Sequence, residues 1–111
     1  MRTLDLPVKY MAALREILDR EAPDAEVWAY GSRINGQAHE ASDLDLVLRH
    51  PSRLDQARER LSALRAALEE SDLPILVEIL DWAGLPEEFR REIEKSHVVV
   101  RMPLAPTSPI S

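Results

Sequence analysis

The chain has 111 residues, no cysteine, and a net charge of −6 from 20 acidic against 14 basic side chains. That length suits one domain, and the lack of cysteine excludes a disulfide framework, a thiolate metal centre and a cysteine nucleophile. An acidic balance argues against unaided binding to long DNA or RNA, and no apolar run is long enough to span a membrane.

Pro7 to about Arg20 reads as a first helix, with Val8, Met11, Leu14 and Leu18 at helical spacing after a proline suited to a first turn. Ala22-Pro23-Asp24 breaks it. Glu26–Tyr30 reads as a short strand ending at Gly31, then a brief helix or turn over Ser32–Asn35 and a loop from Gly36 to Ser42. Asp43–Leu48 is the clearest strand: Leu44, Leu46 and Leu48 form one apolar face, while the other begins with Asp43 and Asp45. Pro51-Ser52 ends it, and Ser52 with Asp55 offers a weak capping box.

The helix that follows, to about Glu70, carries a core stripe of Leu54, Ala57, Leu61, Leu64 and Leu68. Asp72-Leu73-Pro74 turns the chain into a third strand from Ile75 to about Trp82. Ala83-Gly84-Leu85-Pro86 opens a last helix with Glu87 and Glu88 in its first turn and Phe89 and Ile93 on its inner face. His97–Arg101 reads as an edge strand or an extended end. The pattern implies an α/β (α+β) fold with one domain over 1–102 and an irregular proline-rich tail over 103–111.

The chemistry concentrates in Gly31-Ser32, ten intervening residues, and Asp43-Leu44-Asp45. Gly31 lets backbone approach a phosphate, and Ser32 starts a turn whose amides and hydroxyl favour an anion. The planar fork of Arg33 suits phosphate oxygens, although a surface arginine reads the same way. Two carboxylates two positions apart on a strand lie about 6.6 Å from each other on one face. Held that close they repel, and divalent cations remove the conflict. Trp28 and Tyr30 offer a stacking surface for a base or ordinary core. His39, His50 and His97 have no zinc-type spacing.

The stretch from Tyr30 through Gly31-Ser32-Arg33 to Ser42-Asp43-Leu44-Asp45-Leu46 resembles the signature of the DNA polymerase β-like nucleotidyltransferase superfamily. It is most similar to the small stand-alone members called minimal nucleotidyltransferases. The resemblance covers about Val27 to Ile93 and implies a small mixed sheet backed by helices. It also implies two Mg2+ ions and a nucleoside triphosphate, ATP, held through Asp43, Asp45 and a third acid. Glu78, flanked by apolar residues on an expected interior strand, fills that role better than Asp81, which strand parity puts on the opposite face. Relatives often carry Asp there, so a glutamate changes the metal geometry. Gly31, Ser32 and Arg33 would hold the phosphates.

The resemblance further implies a cytoplasmic antitoxin that transfers AMP to a tyrosine of a helical HEPN ribonuclease toxin. Two alternatives stand beside it. One is an antitoxin acting by occlusion alone. The other is an aminoglycoside-type enzyme, although those relatives usually use an extra domain to hold the acceptor.

Overall fold

Alternating leucines from Leu44 to Leu48 build the strand that organises the molecule. In the computed structural model, which describes residues 4–36, 42–49 and 54–102 (54–60 by backbone alone), this strand is β2, Leu44–Arg49. Before it come helix α1 (Val8–Glu21), strand β1 (Glu26–Tyr30) and a 3-10 turn at Ser32–Ile34. After it come α2 (Leu54–Glu69), β3 (Val77–Asp81), a second 3-10 turn at Trp82–Gly84, α3 (Glu87–Lys95) and β4 (Val98–Arg101). The capping box at Ser52, the histidines His39 and His50, and the tail 103–111 lie outside the described residues.

The strands form one mixed sheet in the order β3-β2-β1-β4. β1 lies antiparallel to both β2 and β4, and β3 lies parallel to β2. A parallel neighbour needs a crossover of a dozen or more residues, and α2 supplies it. β3 is therefore an edge strand and not the interior strand that its apolar flanks suggested. Glu78 on it is exposed, so the cost of burying a charge does not explain its placement. The open choice at His97–Arg101 resolves as strand β4, whose run of valines suits a pleated surface.

Parity divides the side chains between two faces. Val27, Ala29, Leu44, Leu46, Leu48 and Ile79 pack with Leu14, Ile17 and Leu18 of α1 and Leu61, Leu64 and Leu68 of α2 into the main core. Each fully buried leucine contributes about 2 kcal/mol to that core. Val8, expected on this stripe, is 86% exposed, and Ile17 takes the inward position instead. The other face holds a smaller cluster of Trp28, Val47 and Ile93, with Tyr30, Trp82, Leu85 and Phe89 packed against it. Asp45 shares the parity of Val47 and lies on this second, less covered face.

Two arginines hold the framework together. Arg101, 7% exposed, donates to Asp19 Oδ1 at 2.8 Å and to the carbonyls of Ala22, Pro23 and Ala25 at 2.6, 2.9 and 3.1 Å. It thereby satisfies acceptors at the end of α1 and in the following turn. Arg49 lies over the Trp28 ring at 4.0 Å and the Trp82 ring at 4.7 Å, while His97 stacks on Trp28 at 3.7 Å. Trp28 is thus enclosed as core.

Candidate active site

The strand register brings the acids together. Asp45 pairs with Glu78 across the parallel ladder and with Tyr30 across the antiparallel one. Directly paired residues project to the same face with side chains about 5 Å apart. Asp45 and Glu78 share a side-chain hydrogen bond, and the Asp45 carboxyl is pushed above its ordinary value, first by desolvation and then by the negative charges of Glu78 and Asp43. Tyr30 feels the same field: burial, Asp45 and Glu78 push its hydroxyl up to about 12. Asp43 sits exposed one residue before β2 begins.

Gly31 closes the other side. Its φ of 83° and ψ of −152° belong to a conformation open essentially to glycine alone. A β-carbon there would meet Oδ2 of Asp45 at 2.6 Å. Gly31 and the Asp45 carboxylate are therefore packed against each other. Ser32 opens the 3-10 turn, and a cleft of about 220 Å³ beside it is lined by Tyr30, Gly31, Asn35, Phe89 and Ser96, among others. A larger groove of about 860 Å³ runs between α1 and α2, but it lies beyond the main core on the far face from the acids.

With this geometry in view, the nucleotidyltransferase domain family matches the chain over residues 11–102. The chain belongs to the nucleotidyltransferase domain family. It is 44% identical over 99 residues to the probable protein adenylyltransferase MntA of Haemophilus influenzae, a match spanning 88% of this chain and 84% of that protein. A toxin–antitoxin crystal structure with AMP-PNP superposes with a TM-score of 0.58 at 20% identity, covering 83% of this chain and 73% of that one. The tri-AMPylated Shewanella oneidensis HEPN toxin in complex with MNT antitoxin gives a TM-score of 0.51 at 17% identity, over 83% and 69% of the two chains. These structural likenesses establish the fold. Among the described residues no helix is long and apolar enough to cross a membrane.

Within this nucleotidyltransferase, Gly31, Asp45 and Glu78 come together with Tyr30, and Asp43 stands close enough to act on Asp45 electrostatically. Arg33 goes elsewhere. It is 4% exposed, with Nε and Nη2 donating to the Ser42 carbonyl at 3.0 and 2.9 Å and Nη1 to the Asp5 carbonyl at 2.8 Å. Its fork, read from sequence as a phosphate clamp, binds backbone and ties the N-terminal segment to the residue that precedes Asp43. Asp81 accepts from the Ala83 amide at 3.2 Å and caps the turn after β3, a structural task on the opposite face. From sequence Tyr30 reads as a base platform or as core. Its pairing with Asp45 depends on strand order, which local patterning does not carry.

The candidate donors are hard oxygen throughout, and the charges of Glu78 and Asp43 add to the desolvation that raises the Asp45 carboxyl. Such a set matches a doubly charged cation, which would relieve the repulsion that raises the Asp45 pKa. Among the described residues, no three acids, histidines or cysteines already stand as a ligand set. The Asp45–Glu78 hydrogen bond takes up the oxygens that an ion would separate.

Proposed function

We propose that this nucleotidyltransferase is a Mg2+-dependent protein adenylyltransferase that moves AMP from ATP to a tyrosine of a HEPN-type toxin and so acts as its cytoplasmic antitoxin. The observation that carries the reading is the contact line Gly31–Asp45–Glu78, a phosphate turn abutting paired carboxylates. Identity to MntA over most of both chains supports protein as the acceptor, and the AMPylated toxin bound to a structural relative supports the HEPN class. The net charge of −6 favours a protein partner over long nucleic acid.

In the mechanism, Gly31 and Ser32 hold the β- and γ-phosphates. Asp43, Asp45 and Glu78 would hold the magnesium, which would supply charge neutralisation and lower the pKa of the attacking hydroxyl. Glu78 receives the hydroxyl proton. The acceptor oxygen bonds to the α-phosphorus, and the bond from that phosphorus to the bridging oxygen breaks, its electron pair leaving with pyrophosphate. Arg33 holds the carbonyl of Ser42, the residue before Asp43.

Labelled ATP, magnesium and the HEPN partner provide the test. Label should reach one or more toxin tyrosines, located by mass spectrometry, and Asp43→Asn with Asp45→Asn should abolish it. An unlabelled toxin that is nonetheless neutralised would assign the protein to occlusion instead.

A further inference from the structure

Asp43 is exposed and precedes β2, so burial does not hold this acid in place. Main-chain bonds on both sides do. After it, the Leu44 amide donates to the Leu76 carbonyl at 2.9 Å, beside the first pair of the β2–β3 ladder. Before it, the Ser42 carbonyl accepts from Nε and Nη2 of Arg33 at 3.0 and 2.9 Å. On that flank Asp43 takes its position from Arg33.

Arg33 in turn is held from the start of the chain. The Asp5 amide donates to the Arg33 carbonyl at 2.7 Å, and Arg33 Nη1 donates to the Asp5 carbonyl at 2.8 Å. The Leu6 amide donates to the Leu4 carbonyl at 3.1 Å, closing a γ-turn about Asp5. The side chains of Leu4 and Leu6 pack against the main core, while that of Asp5 is exposed. The link from Asp5 to Arg33 therefore runs through backbone. Arg33 is 4% exposed, and its guanidinium cannot shed its charge. Withdrawing an acceptor from a buried donor costs the full desolvation of that group. The carbonyls of Asp5 and Ser42 are thus kept at a fixed span by one buried fork.

We propose that Leu4–Leu6 is a positioning brace for the active site, and that the Asp5 main chain, acting through Arg33, sets Asp43 where it can hold a divalent cation. This rests on the nucleotidyl-transfer reading given above. Such coupling is reciprocal: a brace that readies Asp43 for the metal is itself tightened when the metal binds. Metal affinity then depends on a segment that lies well before Gly31-Ser32 and contributes no side chain to the site.

Amide hydrogen exchange of the wild-type protein, with and without Mg2+ and AMP-PNP, gives the first test. Exchange at the Asp5 amide should slow at least about fivefold when both are added, and Asp43→Asn should abolish the slowing. Asp5→Pro removes the donor to the Arg33 carbonyl. In the AMP-PNP complex it should raise the Kd for Mn2+, read by calorimetry, about tenfold, and leave the KM for ATP within about threefold. Asp5→Ala keeps both backbone groups and should restore the wild-type Kd. If Asp5→Pro does not fold, the exchange measurement decides. An Asp5 amide indifferent to Mg2+ and AMP-PNP, or a folded D5P variant with wild-type Mn2+ affinity, would overturn the brace while leaving nucleotidyl transfer intact. Slowed exchange in a protein that transfers AMP to no partner would support the brace and count against the activity itself.

Discussion

Gly31 and Asp45 touch: a β-carbon on the glycine would lie 2.6 Å from the carboxylate oxygen Oδ2. One residue thus sets both the backbone of the turn before Ser32 and the room left for the Asp45 carboxylate. Gly31→Ala meets two penalties at once, a side chain at φ 83° and a collision with Asp45. Stability should fall by about 1 kcal/mol or more. Transfer should fall by about a hundredfold, because the displaced carboxylate no longer meets its substrate geometry. Calorimetry and labelled-AMP transfer read the two effects separately, and full activity would break the link between turn and acid.

Asp45 sets a pH dependence whose sign follows from its environment. Its pKa is raised in the fold, so the folded chain binds more protons than the unfolded one between the ordinary value of 3.8 and the raised value. Stability of the metal-free protein therefore falls as pH rises through that window. Asp45→Asn should stabilise the metal-free protein at neutral pH and lose that gain below the window. Magnesium should reverse the order, raising the wild-type melting temperature and leaving that of the variant nearly unchanged. Thermal scans across pH, with chelator or with magnesium, check both directions.

Arg33 distinguishes an anchor from a clamp. Lysine keeps the charge but cannot reach the carbonyls of Ser42 and Asp5 together. Arg33→Lys should cost about 2 kcal/mol of stability and change KM for ATP by less than about threefold in protein kept folded. A raised KM at unchanged Tm would restore the phosphate role.

Glu78 and Asp81 should separate cleanly. Glu78→Gln should slow transfer by about 10²–10⁴-fold with little change in stability, since the side chain is exposed and its charge repels Asp45. Asp81→Asn weakens only the bond to the Ala83 amide, costing up to about 1 kcal/mol and leaving the rate within about twofold. Steady-state kinetics on both variants would expose an exchange of roles.

The elements legible in the sequence are those whose pattern is local. The leucines of β2 reveal their strand because one face must be wholly apolar, and the same parity places Asp81 away from Glu78. Strand order is not local. Nothing within a few residues of Glu78 reveals an edge, and the residues closing the far side of the sheet, Val98–Arg101, join β1 about 70 residues after it. The partners of Arg33 are hidden for the same reason. Its position after Gly31-Ser32 suggests phosphate, whereas one carbonyl that holds it lies 28 positions away at Asp5. The Tyr30–Asp45 pairing likewise emerges only once β1 and β2 are set in register.

A crystal structure of the protein with Mg2+ and AMP-PNP tests the central claim most directly. It should show magnesium about 2.0–2.1 Å from carboxylate oxygens of Asp43 and Asp45, Glu78 turned toward the α-phosphate, and the terminal phosphates on the amides of Gly31 and Ser32. A nucleotide seated between α1 and α2, or one at Gly31 with no carboxylate on its metal, would contradict it.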